Sequence, residues 1–250
     1  MPGDVGPLLA CDGLRWTIGG STILDGIDLT VATGEFVAVI GPNGAGKTSL
    51  FNLVSGTVRP SSGRITFAGH DITFEPPHRR ARRGIGRTFQ SSTVFPTMTV
   101  SEHIDMAVRI GRERRTRRNA VIGAEVLERT GLAHRPSTMA GQLSHGDKRK
   151  LEIALLLATA NGTHDSRLLL LDEPMAGVSA EEVPELVDVI RQAHRGDGHS
   201  VLMVEHHMEV LMALADRVAV MHHGALLATG TPEAVTADAA VQRAYLGERL

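Results

Sequence analysis

Gly41-Pro42-Asn43-Gly44-Ala45-Gly46-Lys47-Thr48 is the stretch on which the fold of this chain turns. It fits the pattern G-x-x-x-x-G-K-[ST], a loop whose backbone N–H groups converge on phosphate oxygens, and a Cβ at the glycines would obstruct that approach. Lys47 places a point charge where the β- and γ-phosphates of a nucleotide would lie, Thr48 offers a hydroxyl to Mg2+, and Ser49 completes the set of candidate ATP-binding residues. Ahead of the loop, Glu35 to Ile40 reads as a strand buried on both faces. Behind it, a helical pattern from Lys47 to Val54 ends before Gly56 and aims the positive end of its dipole at the phosphates. By itself such a motif can be a glycine-rich turn beside a surface lysine, and the strand before it and the helix after it weigh against that.

On the N-terminal side, Gly13 to Ile18, Ile27 to Val31 and Arg64 to Phe67 read as strands, punctuated by Gly19-Gly20, Thr33-Gly34 and Ala68-Gly69. Downstream the pattern turns helical. Thr99 and Glu102 form a capping box for a helix to about Ile110, and a second helix runs from about Asn119 to Gly131. A third begins near Asp147 and carries Leu151, Ala154, Leu155 and Ala158 on one face. The last third alternates again. Strands are expected at Leu168 to Leu171 and Ser200 to Val204, with a closing pair at Arg217 to Met221 and Ala225 to Ala228. Ser179 with Glu182 reads as the cap of the helix that follows it, another helix is expected after Val204 through Ala215, and a terminal one from Thr231-Pro232-Glu233 onward.

Asp172 and Glu173 follow the apolar run at Leu168 to Leu171, at the strand end where open α/β sheets bind ligands. Asp172 suits Mg2+, mostly through water, and Glu173 can take a proton from an attacking water as general base. Alone, an Asp-Glu pair there is usually a solvated strand end. Beside the loop at 41–48 it becomes the second half of a nucleotide site.

Leu143-Ser144-His145-Gly146-Asp147, upstream of that strand, resembles the LSGGQ signature of ABC ATPases, and the resemblance covers nearly the whole chain. It implies an α/β fold: a P-loop NTPase core of the ABC-ATPase kind, an N-terminal antiparallel β subdomain and a helical signature subdomain. The expected organisation is one domain over 1–250, with the nucleotide-binding core at 1–90 and 161–250 and a helical insert at 91–160. It also implies roles. Gln90 is similar to the Q-loop glutamine that contacts Mg2+ and water, His206 to the switch histidine of the γ-phosphate, and Ala176 to Ser179 to the D-loop. Each nucleotide would lie between one P-loop and the signature of a second subunit, identical or homologous. The opening of the helix near Asp147, with Ser144, makes an anion site that suits this.

Three departures from the family pattern stand out. His145 and Asp147 occupy positions usually Gly and Gln, Ser179 replaces the usual Asp, and the adenine-stacking aromatic position falls at Ile18, with Trp16 two residues earlier as the alternative.

Composition agrees with such a role. With 42% hydrophobic and 22% charged residues and a net charge of −2, the chain has no global basic field, and no nucleic-acid partner is expected. The single cysteine, Cys11, excludes an internal disulfide framework and fits a reducing cytosol. Met1 to Ala10 has neither a basic nor an apolar leader region, and no run reaches the roughly 18 apolar residues a spanning helix needs. A location on the cytoplasmic face of the cell membrane therefore requires transmembrane permease partners. His206-His207 and His222-His223 are not expected to hold metal, and the arginines of Arg79 to Arg83 and Arg109 to Arg118 read as solvated faces.

Gly84 to Gln90, Phe95 to Val100, Leu151 to Ala154, Glu205 to Gly224 and Ala244 to Gly247 resemble the ATPases of bacterial branched-chain amino-acid importers. The resemblance implies ATP hydrolysis driving uptake of a small polar solute, with a periplasmic solute-binding protein in the system. Leu143 to Gly146 with Lys148 is similar to the urea-importer branch, which is the alternative cargo. A soluble ABC ATPase and a non-hydrolysing nucleotide-binding regulatory subunit are the readings from other classes.

Overall fold

Every residue from Phe36 to Ile40 is buried, and this strand, β3, lies at the middle of the structure. The computed structural model describes residues 6–88, 93–110, 117–160 and 168–246. β3 runs parallel between β8 (Ser200–Val204) and β9 (Arg217–His222), and β8 is followed outward by β7 (Leu168–Asp172) and β6 (Ile85–Arg87), also parallel. β10 (Ala225–Gly230) closes the six-stranded sheet as an antiparallel edge, giving the order β10-β9-β3-β8-β7-β6.

Side chains alternate between two cores, as a pleat with both faces covered requires. Phe36, Ala38 and Ile40, with Leu169, Leu171, Val201 and Met203, face one core. Val37 and Val39, with Leu168, Leu170, Leu202 and Val204, face the other. Helices line the first: α3 (Val100–Ile110), α4 (Arg117–Arg129), α5 (His145–Ala160), α6 (Val183–Arg191) and α7 (Met208–Leu214). The second holds α1 (Lys47–Ser55) and the antiparallel sheet β2-β1-β4-β5, made of β1 (Leu9–Ile18), β2 (Ser21–Val31), β4 (Ser62–Phe67) and β5 (His70–Asp71). Each fully buried Leu, Ile, Val or Phe contributes about 1.5–3 kcal/mol of transfer free energy, so this double-faced sheet dominates stability. Two short helices, α8 (Pro232–Ala237) and α9 (Ala239–Leu246), follow the edge strand.

Several elements differ from the sequence expectation, each for a local reason. β1 and β2 begin earlier than their apolar runs suggest, because bulges break the alternation: the register shifts between Cys11 and Leu14, and Gly13 and Gly26 have φ of 56° and 67°. The capping box forms as expected, with Thr99 N–H donating to Glu102 and Glu102 N–H to the Thr99 hydroxyl, at 2.7 and 3.3 Å. Ser179 and Glu182 form only half of one: the Glu182 carboxylate accepts the Ser179 N–H, but the Glu182 N–H goes to the Ser179 carbonyl and not to its hydroxyl. The Ser179 hydroxyl donates to the Glu182 carboxylate, Glu182 is itself the residue before α6, and no side chain caps that helix.

The arginine run at 79–83 is not simply a solvated face. It lies in a short helix, α2 (Pro77–Arg83), where Arg80 is 1% exposed and donates to the carbonyls of Leu53, Val54, Thr73 and Glu75. The carbonyls of Leu53 and Val54 belong to the last turn of α1, where Leu53 O also accepts the Gly56 N–H and Arg80 supplies Val54 O with a donor.

Candidate functional site

β3 ends at Ile40 and the chain turns through the glycine-rich loop into α1. Two of the loop's three glycines, Gly41 and Gly46, are required by this protein's own atoms. A Cβ on Gly41 would lie 2.2 Å from the Met221 carbonyl oxygen, and one on Gly46, the residue before α1 at φ 101°, 2.6 Å from Leu24. Pro42 accepts the Ala45 N–H, and Ala45 accepts the N–H of Gly224 in the β9–β10 turn, so that turn supports the loop. Asn43, Gly44 and Thr48 face solvent, and Ser49 is half-buried. Lys47 is buried, with Nζ donating to the carbonyls of Gly41 and Pro42 at 2.6 and 3.0 Å. Burial holds its amine below the ordinary lysine range, and the carboxylates of Glu173 and Asp172 oppose that shift.

Those carboxylates come from the end of β7, beside the loop. Asp172 is 2% exposed; burial pushes its carboxyl up and the Arg87 guanidinium pulls the other way. Glu173 follows at φ 49°, a left-handed conformation that a non-glycine residue adopts only under strain, and its N–H donates to Val204 O at 2.9 Å. Its Oε1 lies 3.2 Å from Nε2 of His206, which follows β8. Lys47, Asp172, Glu173 and His206 therefore gather at the C-terminal ends of three parallel strands, β3, β7 and β8. Gln90 lies outside the described residues.

The signature segment sits elsewhere. Leu143 is buried, and the Ser144 hydroxyl accepts the Asp147 N–H at 3.1 Å, capping α5. Asp147 bonds to Lys150 and Arg135 at 3.4 and 3.3 Å, so the departure from glutamine is absorbed by local ion pairs. His145 is exposed and borders Gly177. Glu182 accepts hydrogen bonds from Ser144, Ser179 and the Gly146 N–H, the first of which does most to hold its carboxyl below the usual range. The segment 176–179 and the signature thus adjoin. On β1, the indole of Trp16 packs against the N-terminal core, whereas Ile18 is 58% exposed.

Two groups of the site escaped the sequence reading. Arg87 is the last residue of β6 and pairs with Asp172 at 3.0 Å. Glu205, at 2% exposure, directly follows the wholly apolar strand β8. A charge abutting a doubly buried strand was the available signal for each.

A phosphate loop leading into a helix, with acidic strand ends beside it, defines a P-loop nucleotide-binding ATPase. The chain belongs to the ABC transporter family, whose model matches residues 24–176. A second model, for the branched-chain amino acid ATP-binding cassette transporter, matches residues 225–250. Among curated relatives, the high-affinity branched-chain amino acid transport ATP-binding protein LivG of Escherichia coli K12 is 36% identical, covering 97% of this chain and 98% of its own. BraF of Pseudomonas aeruginosa, of the same description, shows the same identity and coverage. The lipopolysaccharide export system ATP-binding protein LptB of Haemophilus influenzae is 34% identical, again over 97% and 98%. A solved ATP-binding cassette of an ABC transporter, in its ADP conformation, superposes with a TM-score of 0.84 at 26% identity, covering 97% of this chain and 100% of that one. This chain is accordingly an ATP-binding, ATP-hydrolysing transporter subunit that works with membrane permease subunits. No helix among the described residues is long and apolar enough to cross a membrane.

Proposed function

We propose that this subunit energises import of branched-chain amino acids, acting as one of two paired ATPases on the cytoplasmic face of the cell membrane. The observation that carries the cargo is the match of residues 225–250 to the branched-chain amino acid model, because overall identity is nearly the same to LivG and to LptB. A periplasmic solute-binding protein would deliver the amino acid to the permeases.

In this reading the residues of the loop 41–49 bind the ATP phosphates, and Trp16 or Ile18 borders the base. Asp172, the Thr48 hydroxyl and Gln90 are hard oxygen donors of the kind Mg2+ prefers, and the exposed Thr48 on α1, the helix that packs against the strand ending in Asp172, fits that ion. Bound there, Mg2+ would neutralise charge building on the phosphates. Glu173 orients a water and accepts its proton; His206, on Glu173, holds the γ-phosphate side of the site. In the signature Leu143 to Asp147, the exposed Ser144 and His145 face the nucleotide of the paired subunit, while the buried Leu143, Gly146 and Asp147 hold the turn. Met98, Glu102, Asp105, Met106, Arg109 and Ile110 line an open groove along α3, which supports permease contact through the helical arm.

Light scattering of Glu173→Gln with Mg-ATP tests the pairing. Blocked hydrolysis traps the closed pair, so mass doubles with ATP and not with ADP; a protein that binds ATP yet stays monomeric would sink self-pairing. Cargo is tested with the reconstituted permeases by comparing ATPase stimulation by leucine-loaded and by urea-loaded binding protein. The resemblance of Leu143 to Gly146 with Lys148 to the urea branch makes urea the competing outcome.

A further inference from the structure

We infer that Glu205 is a positioning residue for ATP hydrolysis, a carboxylate that never touches nucleotide but sets the Glu173–His206 pair. The inference rests on the proposed roles of those two residues. Glu205 is 2% exposed, and among the described residues its hydrogen-bond partners lie on two segments. Oε2 accepts the N–H of Met175 at 3.1 Å, on the segment that leaves β7 through Glu173. Oε1 accepts the N–H of His206 at 2.8 Å, the N–H of His207 at 3.4 Å, and pairs with Nδ1 of His207 at 2.8 Å.

A buried carboxylate is expensive unless donors surround it, and here the donors are mostly backbone N–H groups of the two turns that carry the reacting pair. One oxygen therefore fixes where the chain leaves β7, and the other where it leaves β8. Between them stands Glu173 at φ 49°, a strained conformation that persists only where neighbours over-determine it. Val204 O holds the Glu173 N–H from one side, and the Met175–Glu205 bond fixes the chain two residues later. The same carboxylate aims the His206 backbone so that Nε2 reaches Glu173 at 3.2 Å. A clip of this kind acts on the geometry of the attacking water and leaves the phosphate loop, on β3 and α1, untouched. Its loss belongs in kcat and not in nucleotide affinity, since a misplacement of about 1 Å can cost as much as 100-fold in rate.

The experiment compares steady-state ATPase rates, equilibrium ATP affinity and thermal midpoints for the full chain and for Glu205→Ala, Glu205→Gln, His206→Ala and the Glu205→Ala/His206→Ala double variant. Glu205→Ala should lower kcat by about 10- to 100-fold while ATP affinity stays within about twofold of the parent, the precision of such titrations. In Glu205→Gln the amide NH2 cannot accept a hydrogen bond, so either Met175 or the 206–207 turn loses its acceptor. A loss of about fivefold in kcat is expected, the equivalent of one hydrogen bond. This isosteric variant carries the test if the alanine variant does not fold. The double variant should lose less than the product of the two single losses, because Glu205 acts in part through His206 and in part through the Met175 turn that carries Glu173. Wild-type kcat in Glu205→Gln, a parallel loss of ATP affinity, or losses that multiply in the double variant would each overturn the inference. His206→Ala at the parent rate would instead overturn the proposed role of His206, which the other variants leave distinguishable.

Discussion

Nη2 of Arg87 lies 3.0 Å from Oδ2 of Asp172, with the two side chains 7% and 2% exposed. The same guanidinium donates through Nη1 to Asn52 and Ser55 of α1 at 2.7 and 2.8 Å and lies 5.9 Å over the Phe51 ring. One side chain on β6 thus joins the helix behind the phosphate loop to the strand that ends in the candidate metal carboxylate. Removing one partner of a buried ion pair leaves an uncompensated charge. Arg87→Ala should therefore lose about 3–5 kcal/mol of stability, read as a fall in the urea midpoint at unchanged slope. A midpoint within experimental error of the parent would mean that solvent reaches Asp172 readily.

Gly41→Ala tests why the loop needs glycine. The new Cβ would stand 2.2 Å from a backbone carbonyl oxygen, Met221 O, which cannot swing aside as a side chain could. A stability loss of about 1–3 kcal/mol is expected, measurable without any nucleotide. Full stability with lost ATP binding would instead place the requirement on the phosphates.

Lys47→Ala acts on binding. The charge that the loop holds in readiness on the Gly41 and Pro42 carbonyls is removed, together with both hydrogen bonds. ATP affinity should fall at least about 10-fold, the scale of one strong charge-assisted contact, as read by titration with a fluorescent ATP analogue. An unchanged affinity would show that Lys47 serves the loop's shape alone.

Arg80 offers a test far from the nucleotide. Burial lowers its pKa to about 10, yet four carbonyl oxygens depend on it. Arg80→Ala removes a donor from each of them, leaving Leu53 O with the Gly56 N–H alone, and Arg80→Lys restores only part of the fork, since an ammonium cannot span the same planar arrangement. Losses of about 3–5 kcal/mol and roughly half of that are expected, seen as ordered decreases in thermal midpoint. Lysine matching arginine would refute the need for the fork.

Burial pushes the Cys11 thiol up from 9.0 to about 12, with Asp12 acting in the same direction. Between those values the unfolded chain has lost the proton and the folded chain keeps it, so stability falls as pH rises through the window. The slope from this group is at most about 1.4 kcal/mol per pH unit. Cys11→Ala should flatten the alkaline limb of the stability curve by that amount. Identical slopes in parent and variant would show that the thiol ionises in the folded state.

The order of elements was legible wherever burial was uniform or a cap was local. Phe36 to Ile40, Leu168 to Leu171 and Ser200 to Val204 have no polar interruption because both faces are covered, and Thr99 with Glu102 needs only its own turn. The β1–β2 hairpin was legible only in part, since the bulges at Gly13 and Gly26 hide its alternation.

By itself the sequence determined the phosphate loop, the acidic strand end and the signature turn, because each is written in consecutive residues whose spacing is the chemistry. Tertiary structure alone decided what Arg80, Arg87 and Glu205 do. Their partners lie at Leu53 and Val54, at Asp172, and at Met175, far away along the chain, and a charge becomes structural only when folding excludes water around it. It also decided that Asp147 is held by Arg135, a pairing that depends on how α5 packs, whereas its contact with Lys150 is one turn along the same helix.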